Sequence, residues 1–191
     1  EDFKASNKPV LAFAPSYSQA QYFIASYADR IVLDENSFEP LGGVFLTGFS
    51  VYPLYYKTAL DMLKIDVRVF AAGDYKDAAE PYTLDGMSDY SREANEAWLN
   101  TLWEGYKSIV TAQRNISDES FHRYTNQYNE LLAEAGNDPS LLSLNEGYAD
   151  ELLSKSEWQE EMIEIVGRSG RSFRQIEFTD YLRVTQPSIQ A

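Results

Sequence analysis

The chain reads as an α/β domain with a mostly parallel sheet and flanking helices, and three observations predict this class. Short apolar runs that fit buried strands (9–14, 30–34 and 65–71) alternate with segments of helical periodicity (16–29 and 53–64). Parallel neighbours need crossover connections, and an amphipathic helix between two strands supplies one. From Ser88 onward helical segments dominate, so the C-terminal portion is expected to be helical. With 44% apolar and 14% aromatic residues, 191 residues suffice for one core. A single domain over 1–191 is expected, with a linker beginning near 185–191.

Taken in order, Pro9 to Ala14 (PVLAFA) is closed by Pro15 and reads as the first strand. Ser16 or Ser18 can cap a following helix, on which Tyr22 or Phe23 falls near Ala25, Tyr27 and Ala28. Arg30 to Asp34 is the second strand, ended by the turn-forming Asn36-Ser37. Phe38 to Leu46 holds Pro40 and Gly42-Gly43, which predicts an irregular strand or a place where backbone passes close to another group. The glycine pair is open to two readings, a plain turn or backbone N–H donors for an oxyanion.

Pro53 to Lys64 sets Tyr56, Ala59, Leu60 and Leu63 on one helix face, with Pro53 suited to the first turn, and Ile65 to Ala71 reads as the next strand. Ser88 is a cap for a helix over 89–114, whose stripe of Ala94, Trp98, Leu102, Tyr106, Ile109 and Val110 fits core or subunit contact. Ser117 opens another helix that Gly136-Asn137 closes, and Asp138 to Glu146 is a short one. Ser154 and Glu157 have capping-box spacing at the head of a helix reaching Val166, with Glu160, Glu161 and Glu164 as its solvated face. Gly167 to Arg171 is a basic turn, and Phe173 to Phe178 alternates in strand fashion.

Composition excludes several functions. A formal charge of −14 and a pI near 4.4 repel polyanions, so no nucleic-acid partner is expected. No apolar run approaches the roughly 18 residues that cross a bilayer. The start, Glu1-Asp2-Phe3-Lys4, is expected to be an internal point of a longer protein. Without cysteine there is no thiol nucleophile or thiolate metal site, and a single histidine, His122 in a polar helical run, excludes a multi-histidine metal site. Neither metal nor cofactor is expected.

The candidate site is Gly73-Asp74-Tyr75-Lys76-Asp77-Ala78-Ala79-Glu80-Pro81-Tyr82, just past the predicted strand at 65–71. α/β sheets tend to place functional groups at such points. Lys76 is either a surface lysine paired with Asp74, Asp77 or Glu80, or a dried amine acting as a base. An exposed ammonium has a pKa of about 10.4, which burial can lower by roughly 3–5 units. The base reading requires the three acids to point away, cap backbone or bind other partners, because anions facing the amine raise its pKa.

The stretch DYKDAAEPYTLDGMS (Asp74 to Ser88) resembles the Y-K-S-A-x-E-P segment and D-M-S helix start of the signal peptide peptidases of the protease IV type. In these bacterial serine proteases a lysine replaces histidine as the base. SYSQAQYFIAS (Ser16 to Ser26), ADRIVLDE (Ala28 to Glu35), GFSVYPLYYKTALDMLKIDVRVF (Gly48 to Phe70) and NEGYADEL (Asn145 to Leu152) resemble the family in order and spacing; Asp77 stands where the family has a small residue. The resemblance implies a crotonase-like, ClpP-like domain, the first of two tandem copies. It implies Lys76 as the catalytic base of a Ser-Lys dyad whose serine lies in the second copy, absent from this chain. The nucleophile's place falls here on Gln19, beside Ser18.

Also implied are cleaved signal peptides as substrates, the C-terminal catalytic domain and further copies as partners, and a membrane anchor upstream. The location would be the periplasmic side of the inner membrane. Alone, the chain is expected to be inactive, with Lys76 wet and protonated. Three other readings stand beside this one: a non-catalytic oligomerisation domain of the same fold, a complete hydrolase using Ser18, and, on fold analogy alone, an acyl-CoA enzyme.

Overall fold

The computed structural model describes residues 6–37, 41–70 and 77–185. The chain divides into two compact units, Glu1–Phe45 with Tyr128–Ala191, and Leu46–Gln127. In chain order, the first unit opens with β1 (Leu11–Ala14), β2 (Ser16–Ser18), α1 (Gln19–Ala25), β3 (Arg30–Asp34) and β4 (Gly43–Phe45). The second holds α2 (Lys57–Met62), a 3-10 turn (Asp77–Ala79), α3 (Glu80–Thr83), α4 (Asp89–Arg114) and α5 (Asp118–Asn126). The chain then rejoins the first unit through α6 (Tyr128–Glu134), α7 (Pro139–Asn145), β5 (Glu151–Leu153), α8 (Lys155–Val166), the β6–β7 hairpin (Arg168–Ser169, Ser172–Phe173) and α9 (Phe178–Thr185).

The predicted class holds: the molecule is mixed α/β, and among the described residues β1-β3-β5 and β2-β4 are parallel while β6–β7 is antiparallel. β3 is the middle strand, and its Ile31, Val32 and Leu33 are wholly buried, as a continuous apolar run between two parallel neighbours should be. Two aspartates tie the strand ends: Asp29 accepts from the Val10 N–H (2.8 Å) and Asp150 from the Ile31 N–H (2.7 Å). α8 packs on this sheet through Trp158, whose ring stacks on Phe13 at 5.0 Å. Arg30 lies over the same ring and pairs with Glu161 of α8 and, at 3.8 Å, with Glu151 of β5. Glu161 is therefore half-buried in an ion pair, which corrects its assignment to a solvated face.

Further expectations are corrected. Of the two caps expected for the first helix, Ser18 is the one used and Ser16 is not: Ser16 to Ser18 form strand β2, paired in parallel with Gly43 to Phe45, and α1 begins at Gln19. Pro53 likewise precedes α2 instead of lying in its first turn. Residues 65–70 form no strand among the described residues. Lys64 adopts a left-handed conformation (φ 56°), Ile65 turns back to the Leu60 carbonyl, and the run that follows is exposed, up to 97% at Phe70. The helix expected from Ser117 to Gly136 is two, broken at Gln127 (φ −122°, ψ 31°). Phe173 to Phe178 contributes only Phe173 to a strand; the chain turns tightly at Gly170 (φ 59°), and Phe178 opens α9. β5, three residues long, was not foreseen.

Candidate functional site

Lys76, with Asp74 and Tyr75, lies outside the described residues; what the structure places is the segment that follows it in sequence, Asp77 to Ser88, and the elements that brace it. Pro81 stands in the first turn of α3, where its missing N–H is not needed, and the Thr83 hydroxyl closes back on the Ala79 carbonyl at 3.1 Å. Glu80 reaches the head of α4. Its carboxylate accepts from the Ser88 hydroxyl (2.5 Å) and the Ser88 N–H (3.2 Å). Burial pulls the Glu80 pKa up, but the Ser88 hydroxyl, the Ser88 N–H and the Ser91 hydroxyl outweigh it and hold it below the usual carboxylate range.

The opposite side is tied to α2. The Tyr56 N–H donates to the Pro81 carbonyl at 2.6 Å, and the Tyr56 and Tyr82 rings stack at 6.1 Å. Asp85 accepts from the Thr58 hydroxyl (2.6 Å) and N–H (3.1 Å), capping α2 from a distance, and the hydroxyl bond is the main reason its pKa lies below the ordinary value. Between these ties lies a cleft of about 240 Å³ lined by Val51, Pro53, Tyr55, Asp77, Met87 and Asn95, among others. The Tyr55 phenol is pushed up, first by desolvation and then by the charges of Glu80 and Asp77. Of the three acids expected to bind other partners, Glu80 does so, through Ser88; Asp74 lies outside the described residues, and Asp77 lines the cleft. Sequence reasoning missed these ties; only the Ser88 cap carried a local signal.

The other candidates resolve as follows. Ser18 is the N-cap of α1 in a capping box: its hydroxyl accepts from the Gln21 N–H, and the Gln21 side chain accepts from the Ser18 N–H at 2.9 Å and from its hydroxyl. That accounts for Ser18 by helix geometry alone. Gly42 and Gly43 allow close approach: a Cβ at Gly42 would collide with the hydroxyls of Ser37 and Ser140, and at Gly43 (φ 93°) with the Pro139 carbonyl. Gly43 belongs to β4, so the pair serves packing against α7. His122 sits exposed on α5 with its Nδ1 3.1 Å from the Asn126 amide. No group of three metal-ligating side chains occurs among the described residues, and none of their helices is long and apolar enough to cross a membrane.

Parallel pairing in β1-β3-β5 and β2-β4 with flanking helices fits an α/β protein of the ClpP-like class. The chain belongs to peptidase family S49, whose family model matches residues 2–164. It is similar to Protease 4 of Salmonella typhi (36% identity over 182 residues) and to Protease 4 of Haemophilus influenzae (34% over 182 residues). In both comparisons the alignment takes in 94% of this chain and 29% of the relative, so the chain spans less than a third of the length of the relatives it matches.

Proposed function

We propose that this chain is the lysine-bearing half of a serine endopeptidase, with Lys76 as general base and the serine nucleophile supplied by a second, tandem domain. The observation that carries the reading is the family match over residues 2–164, which includes Lys76 and the Glu80-Pro81 segment after it. In the reaction, a neutral Lys76 amine takes the serine hydroxyl proton as the oxygen attacks the scissile carbonyl. The resulting ammonium gives that proton to the leaving amine, and the amine then activates the water that hydrolyses the acyl-enzyme. Lowering the lysine pKa by about 3 units disfavours its charge by roughly 4 kcal/mol, which dry, apolar surroundings can impose. The capture of Glu80 by Ser88 supports this, since it directs one nearby anion to other donors.

The substrates we infer are cleaved signal peptides, degraded at the periplasmic face of a bacterial inner membrane by an assembly of several copies held there by an anchor upstream. Without the second domain, Lys76 stays hydrated and protonated and this chain is inactive. The test is Lys76→Ala in the full-length protein: peptide hydrolysis should fall by about 10²- to 10⁴-fold, with assembly unchanged by light scattering. Undiminished hydrolysis would overturn the proposal. A second reading, a non-catalytic interaction domain, is favoured by the exposed apolar side chains of the second unit, among them Tyr52 (86%) and Leu54 (70%). It predicts that Lys76→Ala changes neither hydrolysis nor assembly.

A further inference from the structure

We infer that Glu80 and Ser88 form a positioning clamp that fixes the turn leaving Lys76 against the head of α4; this rests on the reading of Lys76 as the base. Ser88 needs no partner to cap α4, because its hydroxyl already accepts from the Ser91 N–H at 3.1 Å. The same hydroxyl donates to Glu80 at 2.5 Å, and the Glu80 carboxylate takes the Ser88 N–H as well. Such charge-assisted bonds are short and directional, and the positive end of a 26-residue helix favours an anion here. The tie spans eight residues and closes 81–87 into a loop anchored at both ends.

The turn is held on its other side by the bond from the Tyr56 N–H to the Pro81 carbonyl and internally by Thr83 to Ala79. Residues 77–83 are thereby placed relative to both α2 and α4, and Lys76 is joined to Asp77 by one peptide bond. Glu80 is a positioning residue in this scheme. It acts through the turn, by limiting where the base can be.

The experiment uses the full-length protein and a peptide substrate. Ser88→Asp keeps a cap for the Ser91 N–H but sets a carboxylate against Glu80; Glu80→Gln with Ser88→Asp reverses the polarity of the pair, the amide now donating to the aspartate. Ser88→Asp should lower kcat about 10- to 100-fold with KM little changed, the scale expected when a catalytic group is displaced by about 1 Å, and the double variant should recover most of it. Glu80→Ala, which leaves the cap untouched, should lower kcat similarly even if Ser88→Asp does not fold. Wild-type kcat in Glu80→Ala, or a folded double variant no better than Ser88→Asp, would overturn the clamp. If Lys76→Ala is inactive while Glu80→Ala is fully active, the clamp fails and the dyad stands; if Lys76→Ala is active, the dyad itself fails.

Discussion

Gly43 and Ser143 show how single atoms set the join between β4 and α7. The Ser143 hydroxyl donates to the Pro139 carbonyl at 2.8 Å and accepts from the N–H of the wholly buried Val44 at 2.9 Å, bridging helix and strand. Ser143→Ala removes that acceptor and should cost about 1–3 kcal/mol, read as a lower urea midpoint. Gly43→Ala should cost at least about 1–3 kcal/mol from its φ of 93° alone, with the collision against Pro139 added; the same titration checks it. The glycine pair was legible as a point of close backbone approach. Which group approaches was not, because Pro139 and Ser140 are distant in sequence and only the tertiary fold brings them there. The bracing of the segment from Asp77 to Ser88 was not legible either: nothing local links Glu80 to Ser88 or Asp85 to Thr58.

At the level of elements, helix starts could be read and some strands could not. Ser18, Ser88, Ser117, Asp138 and Ser154 all cap helices, since a cap is a bond within three or four residues of sequence. Ser154→Ala should cost about 1 kcal/mol, visible in chemical unfolding. Strands depend on a ladder partner elsewhere in the chain. Ser16 to Ser18 found one in β4, whereas Ile65 to Phe70, more apolar by composition, has none among the described residues. The caps also set an acid response. Glu157 lies below its usual range, chiefly through the Ser154 hydroxyl, and Glu80 and Asp85 are lowered as well. A carboxylate whose folded pKa is depressed stabilises above its unfolded pKa and loses that contribution as pH falls through the folded value. Stability should therefore decline below about pH 4, and Glu80→Gln should flatten the decline in urea midpoints measured from pH 7 to pH 3.

Across the whole molecule the dominant physical quantity is the formal charge of −14. Surface repulsion of this size is screened over about 10 Å at 0.1 M salt, so raising sodium chloride from 20 to about 500 mM at pH 7 should raise the thermal midpoint. An unchanged midpoint would mean that the carboxylates are already compensated locally. The α/β class was legible from alternation, and the family from the Asp74 to Ser88 motif, because both are written in contiguous stretches. The division into two units was not, since the first is assembled from chain segments far apart in sequence. One consequence concerns α4, whose Tyr106, Val110 and Thr111 are buried while Trp98 and Leu102 are about half exposed. Deuterium uptake along this helix should be graded: backbone amides near Trp98 and Leu102 should open and label early, and those from Tyr106 to Thr111 should label last, with the core.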